Sequence, residues 1–178
     1  MIVYYSYLES PIQQLMLTSD GESLTGLRMI EHRHAPEMTS DWKLDDQAKP
    51  FAKAKQQLAA YFRSELTEFD LPLSIPGTPF QQTVWQELMR IPYGATMSYG
   101  EMARRIGNPN GSRAVGAANG RNPISIIIPC HRLIGSTGKL TDYGGGLERK
   151  AWLLAHESHY RFNQAGEHRV SPDPHCHV

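Results

Sequence analysis

Cysteine is nearly absent from this chain, with two among 178 residues. Two cannot build a disulfide framework. Cys176 also stands in a polar C-terminal stretch that offers Cys130 a poor partner, so a reducing, cytoplasmic setting is expected. Long apolar runs are missing; none approaches the roughly 20 residues of a membrane-spanning helix. Met1-Ile2-Val3-Tyr4-Tyr5 lacks the basic start and apolar core of a signal peptide, so none is expected. Net charge is absent as well, with Lys+Arg 18 against Asp+Glu 18, and overall charge therefore says nothing about partners. Metal-ligand spacing is lacking: in His156-Glu157-Ser158-His159 the histidines stand too close for a zinc-protease helix, and no metal site is expected. Internal repeats are not found. One local absence is informative. From Met102 to Thr141 there is no acidic residue, whereas Arg104, Arg105, Arg113, Arg121, Arg132 and Lys139 all lie there. That asymmetry fits a surface facing a polyanion, or else a solvated face segregated by chance.

What is present suffices for a core, the hydrophobic fraction being 40%. Short apolar segments at Tyr4 to Leu8, Gln14 to Thr18 and Leu24 to Met29, parted by Ser10-Pro11 and Asp20-Gly21, predict an antiparallel meander. Residues 31–46 read as polar and irregular. Phe51, Ala54, Leu58, Tyr61 and Phe62 make one helical stripe. Asp70 to Gly77 is proline-rich and reads as a linker, giving an N-terminal unit over residues 1–76 and a C-terminal unit over 77–160. Thr78-Pro79-Phe80-Gln81 and Ser98-Tyr99-Gly100-Glu101 are capping boxes that open two helices. Ser112 is a candidate cap for a third, Arg113 to Asn119, with Gly120 as its stop. The second and third helices, joined by Gly107-Asn108-Pro109-Asn110-Gly111, are a helix-turn-helix candidate. A last helix, Leu147 to His156, places Glu157 at its end. Residues 161–178 read as a disordered tail.

The run Ile126-Ile127-Ile128-Pro129-Cys130-His131-Arg132 carries the chemistry. It reads as an apolar strand whose exit holds a thiol beside a histidine and an arginine. A thiol is a nucleophile only as thiolate, which neighbouring positive charge or a histidine base favours. The bland alternative is an inert, buried cysteine. On an extended chain Cys130 and His131 point to opposite faces, so they meet only if the chain turns or a water bridges them. His131 needs an acceptor to fix its tautomer; Glu157 is a candidate, or else a solvated helix end. The third helix carries Arg113 and otherwise mostly small side chains, too few long ones to read the major groove. Ala114, Ala117 and Ala118 either let it approach a minor groove closely or pack inside. Tyr143-Gly144-Gly145-Gly146 lacks P-loop spacing and suits close backbone approach to a flat ligand equally well.

These residues resemble the active-site signature of the O6-alkylguanine-DNA alkyltransferases. The likeness runs from about Gly77 to Tyr160 and includes Asn122-Pro123, Pro129-Cys130-His131-Arg132, Tyr143 with the glycines, and Trp152-Leu153-Leu154-Ala155-His156-Glu157. It implies an α+β, two-domain fold. A small N-terminal antiparallel sheet plus helix would be ribonuclease H-like, and the C-terminal helical domain would hold a winged helix-turn-helix. The implied activity is DNA repair by direct reversal: irreversible, single-turnover transfer of a methyl or other alkyl group from O6-alkylguanine to Cys130, without a cofactor. O4-alkylthymine is left open as a second substrate. By the same resemblance His131 acts through a water to deprotonate Cys130, Glu157 orients His131, and Asn122 holds the turn. Tyr143 donates to the leaving guanine. The backbone at Cys130 and Leu133 accepts from its amine, and the Gly144 N–H faces O6. Double-stranded DNA is expected as partner through its minor groove, with the target nucleotide flipped out. Arg113 fills the vacated stack, Tyr99 crowds the adjoining phosphate, and Ala114, Ala117, Ala118 and Asn119 face the groove. A monomer is implied. Gly144 and Ser125 stand where some relatives carry serine and proline, which alters the pocket's shape.

Two rivals differ in kind. A helix-turn-helix regulator with a redox-sensing cysteine would need base-reading side chains and a two-fold partner. A cysteine hydrolase built on Cys130, His131 and Glu157 would turn over repeatedly and leaves the basic stretch without a purpose.

Overall fold

Strand-forming residues at the N-terminus produce three adjacent antiparallel strands, β1 (Val3–Leu8), β2 (Leu15–Ser19) and β3 (Leu24–Met29). The computed structural model describes residues 1–167, with side chains to 159. Leu15, Leu17, Leu24, Leu27 and Met29 turn inward and are buried. A fourth strand, β4 (Trp42–Leu44), was not expected. It pairs parallel to β1, so the sheet is mixed, in the order β3-β2-β1-β4, rather than wholly antiparallel. Helix α1 (Phe51–Phe62) buries Phe51, Ala54, Leu58 and Tyr61 at the spacing read from the sequence. Each large apolar side chain so buried contributes roughly 1.5–3 kcal/mol.

The proline-rich stretch after α1 is not a free linker. The Leu24 N–H donates to the Pro72 carbonyl at 2.8 Å, and the Ser74 N–H donates to the Leu24 carbonyl at 2.9 Å. It therefore covers part of the exposed edge of β3, which would otherwise present unpaired backbone groups. The rest of that edge holds the C-terminal unit. The Leu27 N–H donates to the Pro123 carbonyl and the Ser125 N–H to the Leu27 carbonyl, both at 3.0 Å. One apolar core runs through both halves of the chain.

Both capping boxes are formed, at Thr78 for α2 (Pro79–Leu88) and at Ser98 for α3 (Tyr99–Arg105). Helix α4 (Ser112–Gly120) has Gly111, not Ser112, at its N-cap, without a side-chain cap. Helices α2 and α3 both pack on α4, and Val84, Trp85, Leu88, Met102, Ala103 and Val115 fill the space between them. Two short strands, β5 (Met97–Ser98) and β6 (Leu133–Ile134), pair parallel. The final helix α5 (Leu147–Glu167) runs well past its expected end, so Glu157 lies inside it, and residues 161–167 are helical rather than tail. The rest of the expected tail, residues 168–178, lies outside the described residues. No helix among the described residues is long and apolar enough to cross a membrane.

Candidate active site

The triple isoleucine is not a strand. Residues 122–129 fold into turns in which Ile126 has φ +71°. That conformation is uncommon for a β-branched residue and costs on the order of 1–3 kcal/mol. Asn122 clamps it: its Nδ2 donates to the Ile128 carbonyl at 2.8 Å, and its Oδ1 accepts from the Ile124 N–H at 3.0 Å. Pro129 then leads into a single 3-10 turn, Cys130–Arg132. The chain does turn at the cysteine, which removes the obstacle that an extended backbone posed. Cys130, His131 and Arg132 are all buried.

Under this turn lies a charged cluster anchored on α5. Glu157, fully buried, accepts from His131 Nε2 at 2.7 Å, from Arg132 Nε and Nη2 at 2.9 Å each, from the Tyr61 hydroxyl at 2.8 Å and from the Gly94 N–H at 3.3 Å. Burial alone would raise the Glu157 pKa. The hydrogen bond from His131, with the hydrogen bonds and charge of Arg132, overcomes it and holds the carboxyl well below the usual carboxylate range. Arg132 supplies the permanent positive charge. His131 is pushed down by burial against the pull of Glu157, so the ring is neutral. Its Nε2 carries the proton given to Glu157. Nδ1 is left with its lone pair and no hydrogen-bond partner among the described residues, the state a base requires.

Burial pushes the Cys130 thiol up, while Asn122, Lys150 and Tyr143 pull it back. Lys150 was not foreseen. It is buried on α5, donates to the Thr141 carbonyl at 2.9 Å and sits 5.9 Å from the centre of the Tyr99 ring. Burial lowers its pKa to about 8, against the opposing pull of Cys130. A lysine inside an apolar face is rare, but its position in Leu147–Leu154 looks like an ordinary polar helix residue. The Tyr143 hydroxyl is buried beside Cys130 and Ser125. Burial, then the charge of Cys130, push it well above its usual range, so it stays protonated. Leu133 and Ser125 are buried nearby. The Cys130 carbonyl already accepts from the Leu133 N–H and, at 3.3 Å, from Asn119 Nδ2, so both its lone pairs are engaged and little is left there for a guanine amine.

A cavity of about 610 Å³ opens between α4 and residues 141–144, lined by Tyr99, Arg113, Gly116, Ala117, Arg121 and Asp142 among others. Arg113, Ala114 and Ala117 are exposed on α4. Ala118 and Asn119, expected to face a groove, are buried instead: the Ala118 carbonyl accepts from Trp85 Nε1 at 2.9 Å, and Asn119 braces Cys130. Arg104, Arg105, Arg121 and Lys139 are exposed, whereas Arg132 belongs to the interior cluster rather than to a basic surface. Tyr99 accepts from the Thr141 hydroxyl at 3.3 Å. Among the described residues no cluster of His, Cys, Asp and Glu is arranged to hold a metal.

Comparison with known proteins agrees over nearly the whole chain. Residues 79–159 match the 6-O-methylguanine DNA methyltransferase DNA-binding domain, and residues 3–75 match the ribonuclease-like domain of the same enzymes. The methylated-DNA–protein-cysteine methyltransferase of Mycobacterium tuberculosis is 54% identical over 153 residues, covering 86% of this chain and 91% of that protein. The enzyme of the same name from Methanosarcina acetivorans is 48% identical over 152 residues, 85% of this chain and 96% of its own. The crystal structure of Mycobacterium tuberculosis OGT in complex with DNA superposes with a TM-score of 0.82 at 52% identity, covering 88% of this chain and 94% of that one. On its turn-borne cysteine, its buried His–Glu–Arg cluster and these likenesses, the chain belongs to the 6-O-methylguanine DNA methyltransferase family.

Proposed function

We propose that this protein repairs DNA by direct reversal, moving an alkyl group from O6 of guanine onto Cys130 once per molecule. The observation that carries this reading is the placement of Cys130, a buried thiol on a clamped turn directly beside the neutral His131, whose Nε2–H is fixed by Glu157. His131 Nδ1 takes the thiol proton through an intervening water. The Cys130 sulfur attacks the alkyl carbon, the bond from that carbon to O6 breaks, and the electron pair passes into the guanine ring. The Tyr143 hydroxyl, which stays protonated, donates a hydrogen bond to the ring as its charge develops, and the proton taken up by His131 balances the charge of the released guanine. Lys150 offsets the negative charge on sulfur before attack. The product is a thioether, which water does not cleave, and nothing in the site regenerates the thiol.

The DNA-facing surface we assign to α4, with Arg113, Ala114 and Ala117 towards the minor groove. The target nucleotide flips into the cavity between α4 and residues 141–144, with Arg113 in the vacated stack and Tyr99 against the adjoining phosphate. The cavity's volume falls within the range of small-molecule sites. We further assign residues 1–76 to a ribonuclease H-like unit and 77–160 to a unit whose α3 and α4 form a winged helix-turn-helix, the protein acting as a monomer. The regulator reading is not supported, since the relatives are named as methyltransferases.

The test is to mix the protein with an excess of duplex DNA holding one O6-methylguanine and to count guanine restored by nucleoside chromatography. One equivalent per protein, with no further turnover, supports the reading. Continued turnover, or none, refutes it.

A further inference from the structure

We propose that His32, on the connection between β3 and β4, forms a wall of the alkyl pocket and limits the size of adduct that reaches Cys130. The proposal rests on the assignment of Cys130 as alkyl acceptor and adds a residue from the opposite end of the chain.

His32 lies in the stretch that the sequence presents as polar and irregular. Its Nδ1–H donates to the Arg33 carbonyl at 2.6 Å, which leaves Nε2 as an acceptor, and the Ser125 hydroxyl donates to it at 3.3 Å. Burial lowers the pKa of His32, which keeps that tautomer neutral. Ser125 is fully buried and lies beside the Tyr143 hydroxyl, which in turn lies beside Cys130. His32 also lies over Gly144: a Cβ at position 144 would stand 2.5 Å from its Cε1 and 2.8 Å from its Nε2. Space that a side chain at 144 would take is therefore occupied by an imidazole from the N-terminal unit.

The ring is held, not merely adjacent. The Arg33 N–H donates to the Gly144 carbonyl at 2.9 Å, and Arg33 Nη1 meets Asp142 Oδ1 at 2.6 Å. Met29 packs on Gly145 from the end of β3. These contacts tie the loop carrying His32 to the loop carrying Tyr143 on both sides of the ring. A rigid side chain tied at both nitrogens cannot swing away from a bulky group without losing them. A methyl group needs little room beyond the thiol, whereas a benzyl group needs the volume that His32 fills.

The experiment compares single-turnover rates on duplexes holding O6-methylguanine or O6-benzylguanine, for wild type, His32→Ala and the milder His32→Asn. Removing the wall raises the benzyl rate by at least about tenfold and leaves the methyl rate within about threefold, the scale on which pocket volume discriminates substrates. Equal loss of both rates, or no change in their ratio, overturns the proposal. Gly144→Ala provides a second readout without substrate. It lowers the melting temperature in wild type and has a much smaller effect in His32→Ala; additive losses contradict the contact. Failure of the wild-type protein to accept methyl would refute the repair reading itself, and it is read in a separate arm from the His32–Gly144 coupling.

Discussion

Replacing Glu157 with glutamine keeps its shape and removes one negative charge from the interior. The side chain of Glu157 is 1% exposed and that of Arg132 8%, so the guanidinium left behind has no counter-charge and little access to water. Breaking one half of a buried pair costs about 3–5 kcal/mol. For a chain of this size that lowers the melting temperature by roughly 6–20 °C. Thermal unfolding followed by circular dichroism at neutral pH measures it. The double variant Glu157→Gln/Arg132→Met removes both charges and should lose less than the sum of the two single variants, by about 1–3 kcal/mol. A pH series carries a further sign. The folded-state pKa of Glu157 lies below its ordinary 4.5, so its stabilisation is complete above that value and lost as pH falls towards the folded pKa. The gap between wild type and Glu157→Gln should therefore narrow below pH 4.5. A loss under about 1 kcal/mol, or strictly additive losses, would show that the charge cluster does not hold the site together. The same variant should slow alkyl transfer by about 10²–10⁴-fold, the usual worth of a positioned base.

Lys150→Met removes a cation that holds the Cys130 thiol down, so the Cys130 pKa rises and the transfer rate at pH 7.5 falls about tenfold for each unit of that rise; thiolate absorbance against pH, with single-turnover rates, measures both. Folded Lys150 titrates near pH 8, below its ordinary 10.5. Between those values the unfolded chain binds the extra proton, so this group makes stability rise with pH there, and urea midpoints across the range should lose that rise in Lys150→Met. Asn122→Ala leaves the Ile124 N–H without its partner, at about 1–3 kcal/mol, while the Ile128 carbonyl keeps the Cys130 N–H at 2.8 Å; the urea midpoint should fall accordingly, and the thiol should become more reactive to a general alkylating reagent as the turn loosens. Arg113→Ala removes the side chain assigned to the vacated stack, so it should slow alkyl transfer from duplex DNA by more than it weakens duplex binding; single-turnover rates beside a binding titration decide it, and equal losses in both would contradict that assignment.

Local signals were legible wherever local physics rules. Thr78 with Gln81 and Ser98 with Glu101 make their reciprocal caps because both partners lie within one turn. The stripe from Phe51 to Tyr61 needs only one apolar surface to lie on. Cys130 stood out because so few residue types can do its chemistry. Where tertiary contacts decide, the sequence misled. Three isoleucines read as a strand, yet Asn122 and the edge of β3 bend them into turns. Strand β4 has only three residues, and its pairing to β1 is a backbone matter that side-chain alternation does not announce. Ala118 and Asn119 differ from Ala114 and Ala117 only by their angle around α4, which places them inward. Lys150 is buried and His32 half-buried by parts of the fold that the local sequence does not show, and no spacing rule points to either.

Peptide mass mapping after incubation with excess O6-methylguanine duplex tests the central claim most directly. The account predicts one added methyl group, confined to the peptide carrying Cys130, at one equivalent per protein and absent in Cys130→Ala. An unmodified Cys130 peptide, or a methyl group carried on another residue, would contradict it.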